Sequence, residues 1–162
     1  MASNKTLNAK NLAALGATRL AELLIEVSTD NAATKRRLRL ELAGAQSPGE
    51  VAKEVRKRLT TIARSQSFID WQNRKELIGD LETQRRAIVD QIAKADLAEA
   101  LELLWRFTAL ANSVFKRCDD SSGTVIGIFH AACRDLGEIA LVAKVTPEIL
   151  ADRAFNALNE ND

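Results

Sequence analysis

Tyrosine is absent from this chain, aromatic residues make up 4% of it, and it holds only two prolines, seven glycines, two cysteines and one histidine. Each shortage excludes something. Without aromatic and β-branched runs there is little to cover the pleated faces of a sheet, and so few glycines and prolines cannot supply the turns of an all-β fold. One histidine and two cysteines, Cys118 and Cys133, fall short of a tetrahedral zinc site and lack paired-cysteine spacing. Glycine-rich phosphate loops, metalloprotease strings and paired catalytic carboxylates are missing too. The longest uncharged stretch, Ser121 to Cys133, is too short to span a bilayer and carries serines and a histidine. Met1 to Leu12 has no apolar core of a secretory signal, so both thiols are expected reduced, in a cytoplasmic setting.

What is present is helix-forming. Hydrophobic residues make up 46% and charged residues 28% of 162 positions, the balance of a globular chain, and Ala, Leu, Glu, Arg and Lys dominate. No Pro/Gly/Ser-rich linker divides the sequence, so a single helical domain over 1–162 is expected. Asn8 caps a short helix that Gly16 ends. A second follows from Ala17 to Val27, with Leu20, Leu23, Leu24 and Val27 on one face. Asp30 or Asn31 caps a third, which Gly44 should stop, with Leu38 and Leu42 on one side and Leu40 and Ala43 on the other, as in a helix packed on both flanks.

Ser47, Pro48 and Glu50 give the strongest start signal, a capping box with proline at the first helical position. Val51, Val55, Leu59 and Ile62 then form one apolar stripe, and the helix frays near Arg64. Phe68, Ile69 and Trp71 predict a packed corner, with Asp70 capping a long helix to about Lys94 that bends at Gly79. Asp96 caps the next helix, apolar on two faces through Leu101, Leu104, Phe107 and Val114. After the polar loop Cys118–Gly123, a helix from Thr124 to about Lys144 reads apolar nearly all round. Thr146-Pro147-Glu148 opens a last helix to Leu158. Consecutive pairs with short loops predict an all-α fold of stacked antiparallel hairpins, seven or eight helices in all, and a HEAT-like stack is compatible with that pattern.

The charge is uneven. Residues 1–66 hold twelve basic and six acidic side chains, and 67–162 hold eleven and sixteen. Such asymmetry fits either an acidic partner or two halves facing each other. Arg36 and Arg37 on the third helix, with Lys53, Lys57 and Arg64 pointing away from the stripe of the fourth, are the candidate polyanion-binding residues. No aromatic interleaves them for base stacking. His130 and Cys133 share a face of the 124–144 helix, but nothing places an orienting carboxylate beside them. The simpler reading packs Cys133 as a small hydrophobe in the core. In the Cys118–Gly123 loop, Asp119 and Asp120 repel an anion, leaving Ser121 and Ser122 the role of helix caps. On the last helix, Leu150, Ala151, Ala154 and Leu158 should dock, leaving Ile149 and Phe155 as apolar surface for self-association.

The strings Lys5-Thr-Leu-Asn-Ala-Lys-Asn-Leu12, Lys35-Arg-Arg-Leu-Arg-Leu-Glu-Leu42, Phe68-Ile-Asp-Trp71, Ala100-Leu-Glu-Leu-Leu-Trp105, Cys118-Asp-Asp-Ser-Ser-Gly123 and Asp135-Leu-Gly-Glu-Ile-Ala140 resemble an uncharacterised bacterial family of helical proteins, a domain of unknown function. The resemblance covers nearly the whole chain. It implies an all-α fold and no activity, and it implies longer relatives, so that Asp162 is expected to be an early end. The expected function is a non-enzymatic helical scaffold or protein-interaction module without cofactor or metal. Its partner is expected to be a protein or a second copy, not a membrane. Nucleic-acid or polyanion binding through the basic helices at 31–64 is the alternative.

Overall fold

The structure, a computed structural model, describes residues 5–159, with the side chains of Trp71, Gln72, Leu158 and Asn159 left out of the description. Eight α-helices follow one another: α1 Ala9–Ala13, α2 Ala17–Ser28, α3 Ala32–Gln46, α4 Pro48–Arg64, α5 Trp71–Ala87, α6 Leu97–Phe115, α7 Thr124–Val142 and α8 Pro147–Asn159. No strand occurs among the described residues, only an isolated parallel bridge between Ile69 and Cys118. The fold is all-α. The chain divides into two compact units, one ending at Arg39 and the other beginning at Leu40. That boundary runs inside α3, where no shift of composition could mark it.

In the first unit Asn8 caps α1 by accepting from the Asn11 backbone N–H at 2.9 Å. Gly16 separates α1 from α2 with a positive φ of 81°, a conformation that a side chain would strain. Asn31 starts α3, accepting from the Thr34 N–H at 2.9 Å. The expected apolar face of α2 is there, yet Leu24, Ile25 and Val27 are exposed and Leu20 and Leu23 only half-buried.

The second unit has a well-filled core. α6 lies at its centre and packs against α4, α7 and the π-helical turn Ile88–Ile92 that continues α5, while α5 packs on α7. Leu103, Leu104, Phe107 and Val114 of α6 are fully buried, as are Val51 and Val55 of the α4 stripe. The break in the 71–94 helix falls at the π turn and not at Gly79. There the Ala93 N–H reaches back five residues to the Ile88 carbonyl at 2.9 Å, and this wider turn keeps Ile88 and Ile92 both in the core.

Other local expectations need correction. Gly44 does not stop α3, which runs on to Gln46. A Cβ at Gly44 would stand 2.8 Å from Gln91 Oε1, the far end of a flexible side chain. Leu40 and Ala43 are buried, while on the other flank Leu38 is half-buried and Leu42 is 65% exposed. The capping box is half made. Ser47 Oγ accepts from the Glu50 N–H at 3.2 Å, but the Glu50 carboxylate turns to Lys53 at 2.5 Å and the Ser47 N–H donates to the Ala43 carbonyl. In the predicted corner Ile69 is buried and Phe68 is exposed, and the Trp71 side chain lies outside the described residues. Backbone bonding fixes that corner, with the Ile69 N–H donating to the Arg117 carbonyl at 2.7 Å and Arg117 donating in turn to the Ile62 and Ser67 carbonyls.

α7 buries only one of its apolar sides and leaves Ile126, Leu141 and Val142 exposed. Val125, Ile128, Phe129, Ala132, Leu136, Ile139 and Ala140 form its buried face, and Cys133, one step of about 100° beyond Ala132, is exposed. Cys118 is the buried thiol. On α8 the inner positions are the half-buried Leu150 and Ala157, while Ala151 and Ala154 are exposed; the Leu158 side chain lies outside the described residues. Arg153 completes this docking by pairing with Glu102 and lying over the Trp105 ring at 5.4 Å.

Candidate functional site

Lys53, Lys57, Thr60 and Arg64 recur along α4 at steps of four, three and four, which keeps them within about 60° of one another on the helix. All four are exposed, because Val51, Val55, Leu59 and Ile62 commit the opposite side to the core. Lys53 is paired with Glu50. Lys57 and Arg64 make no ion pair among the described residues, so their charge is directed at solvent.

Along this stripe runs a cleft of about 280 Å³ between α4 and α6. Leu59, Thr60, Ala63 and Arg64 form one wall, and Arg106, Ala109 and Leu110 the other. Its cause is steric. Ala63 and Ala109 are exposed methyl-sized residues where larger side chains would close the groove between the two helices. The floor is apolar, from Leu59 and Leu110, and two guanidinium groups stand at the rim. Arg106 is held to Glu102 at 3.0 Å. No carboxylate, thiol or imidazole lines the cleft, and its one hydroxyl, that of Thr60, donates to the Arg56 carbonyl at 2.9 Å. The cleft can accept an apolar side chain and set a negative group against Arg64.

The other basic side chains have been claimed internally or lie elsewhere. Arg56 pairs with Glu99, and Arg58 with the buried Asp80 at 2.5 Å. For these two the charge asymmetry of the sequence is met within the second unit. Arg36 and Arg37 lie in the first unit, Arg36 half-buried and Arg37 exposed. Sequence reasoning missed the α6 wall altogether. Arg106 and Ala109 carry no signal of their own, since only the crossing of α4 and α6 makes them a surface.

His130 and Cys133 lie together on the exposed side of α7, while Cys118 is buried beside Ile69. Burial pushes the Cys118 thiol above its ordinary value, and the nearby Asp120 charge adds to this, so the thiolate nucleophile is disfavoured there. Among the described residues no three His, Cys, Asp or Glu side chains are grouped to hold a metal ion. At the Cys118–Gly123 loop the serines are secondary caps. Asp120 accepts from the backbone N–H of Val125 at 3.0 Å and of Ile126 at 2.8 Å, so the protein supplies its own anion to the start of α7. Ile149 and Phe155, the candidate self-association residues, are 58% and 64% exposed on the outer side of α8.

Among the described residues, eight helices with a buried core in the second unit and an apolar cleft edged by cations define an all-α protein. Residues 2–162 match the family of unknown function DUF6880, and the chain belongs to that family. No curated protein and no solved structure matches it. No described helix is long and apolar enough to cross a membrane.

Proposed function

We propose that this chain is a non-enzymatic protein-interaction module, cytoplasmic and of bacterial origin, whose α4–α6 cleft receives an apolar anchor from an acidic segment of a partner protein. The observation that supports this reading is the pairing of an apolar floor with the uncompensated charge of Arg64 on its rim, with Lys57 two turns earlier on the same face of α4. Apolar contact supplies affinity, and the rim charges supply register and association rate. Affinity capture from native lysate tests it, with wild type beside Ala63→Trp, which fills the cleft, and Arg64→Glu, which reverses the rim. A nuclease-resistant partner lost with both variants is expected. Capture unchanged by both sinks the proposal.

Polyanion binding is the second reading, favoured by the alignment of Lys53, Lys57 and Arg64 on one exposed face. It requires that Lys53→Glu with Lys57→Glu weaken binding to a nucleic-acid probe and flatten its salt dependence. Equal binding by wild type and this double variant at low salt would remove it. Self-association through Ile149 and Phe155 of α8 is a separate proposal, tested by light scattering of Ile149→Lys.

A further inference from the structure

Among the described residues of the first unit no apolar side chain is buried; its one buried residue is Ser28. Yet α2 carries Leu20, Leu23, Leu24 and Val27 at the spacing i, i+3, i+4 and i+7 by which a helix enters an apolar partner surface, with Leu24 45% and Val27 63% exposed. A helix of 12 residues is marginal in water unless its apolar face is covered. Charge indicates what covers it. Arg19 and Glu26 flank the stripe on the same side, seven residues apart and opposite in sign. When two such helices meet antiparallel about a two-fold axis, the flanking positions of one face the same positions of the other, so Arg19 of each copy comes opposite Glu26 of its mate. A parallel pair sets Arg19 near Leu24 and gains nothing. A membrane surface fits poorly, because the polar side of α2 carries Glu22 and Glu26 where such helices carry Lys and Arg.

We propose that the chain forms a two-fold homodimer through antiparallel packing of α2 against α2, closed by reciprocal Arg19–Glu26 ion pairs. The contact is isologous, the commonest way in which one patch serves both subunits. In the isolated chain Arg19 bonds instead to Glu22 at 2.9 Å, an exposed pair that yields readily.

Sedimentation equilibrium of the full chain over a concentration series is the test. Wild type should dimerise, and Val27→Lys, which changes an exposed position, should be monomeric. Arg19→Glu and Glu26→Arg each place like charges opposite one another twice and should weaken the dimer by about tenfold or more. Mixed in equal amounts, these two variants should recover a heterodimer, since every flanking pair is then complementary again. A wild type that stays monomeric at high micromolar concentration overturns the proposal. So does a dimer that survives Val27→Lys and is lost on Ile149→Lys, which would put the contact on α8. Failure of the mixed variants to pair overturns the antiparallel arrangement. Capture unchanged by Ala63→Trp and Arg64→Glu, with the dimer intact, would count against the function proposed above and leave this inference standing.

Discussion

Arg58 holds Asp80 on a single carboxylate oxygen, its Nε donating to Oδ2 at 2.6 Å and its Nη2 lying 2.5 Å from the same atom. Gln84 Nε2 donates to the other oxygen at 3.2 Å. The bridge joins α4 to α5 with Asp80 buried, so removing Arg58 takes a guanidinium from a carboxylate in a poorly solvated place. Arg58→Met should cost about 3–5 kcal/mol of stability in urea titration. Adding Asp80→Leu should recover most of it. A single variant as stable as wild type would mean that water reaches Asp80 freely.

Asp120 replaces two missing acceptors at the start of α7, where Gly123 has no side chain to cap with. Asp120→Ala should therefore destabilise by about 1–2 kcal/mol. Asp120→Asn, which keeps one acceptor oxygen, should lose less. Equilibrium unfolding of the three proteins checks the order.

Gly44→Ala runs the other way. The new Cβ would meet the end of the flexible, half-buried Gln91 side chain, which can swing aside, and only ordinary contacts besides. The helix-propensity gain of about 1 kcal/mol should then prevail, leaving the variant neutral or more stable. A melting point lowered by several degrees would show Gln91 to be fixed.

Glu102 joins α8 to α6. The Arg153 guanidinium, aided by Arg106 and opposed by burial, holds its carboxyl below the ordinary value of 4.5. A carboxylate whose folded pKa is depressed contributes stability above its unfolded pKa and loses it as pH falls through the folded one. Docking of α8 should thus be constant from neutral pH down to about 5 and weaken below the ordinary carboxylate value. Trp105 fluorescence reports it, since Arg153 lies over that ring. Glu102→Gln should remove the transition, and an unchanged acid transition in that variant would assign it to another group.

Leu104 is fully buried at the centre of α6, and Leu104→Ala should cost about 2–5 kcal/mol. A loss below half of the lower bound would mean that the core collapses around the missing atoms.

The caps at Asn8, Asn31, Ser47, Asp70 and Asp96 were legible because each depends on residues three positions apart. So was the burial of the α4 stripe and the centrality of α6. Cys133 and the α8 docking positions differ from expectation for one reason. Composition says that a face is apolar, but which of two adjacent helical positions turns inward depends on where the neighbouring helix crosses.

The all-α class, the order of the helices and most of their starts are properties of the sequence itself, since 3.6-residue periodicity and capping act within a few residues along the chain. The π turn at Ile88–Ile92, the capture of Arg58 by Asp80 and the cleft that Ala63 and Ala109 leave open belong to the tertiary structure. The last two need residues distant in sequence to meet, and the free energy that selects among such arrangements comes from packing and desolvation, which no local stretch of chain contains.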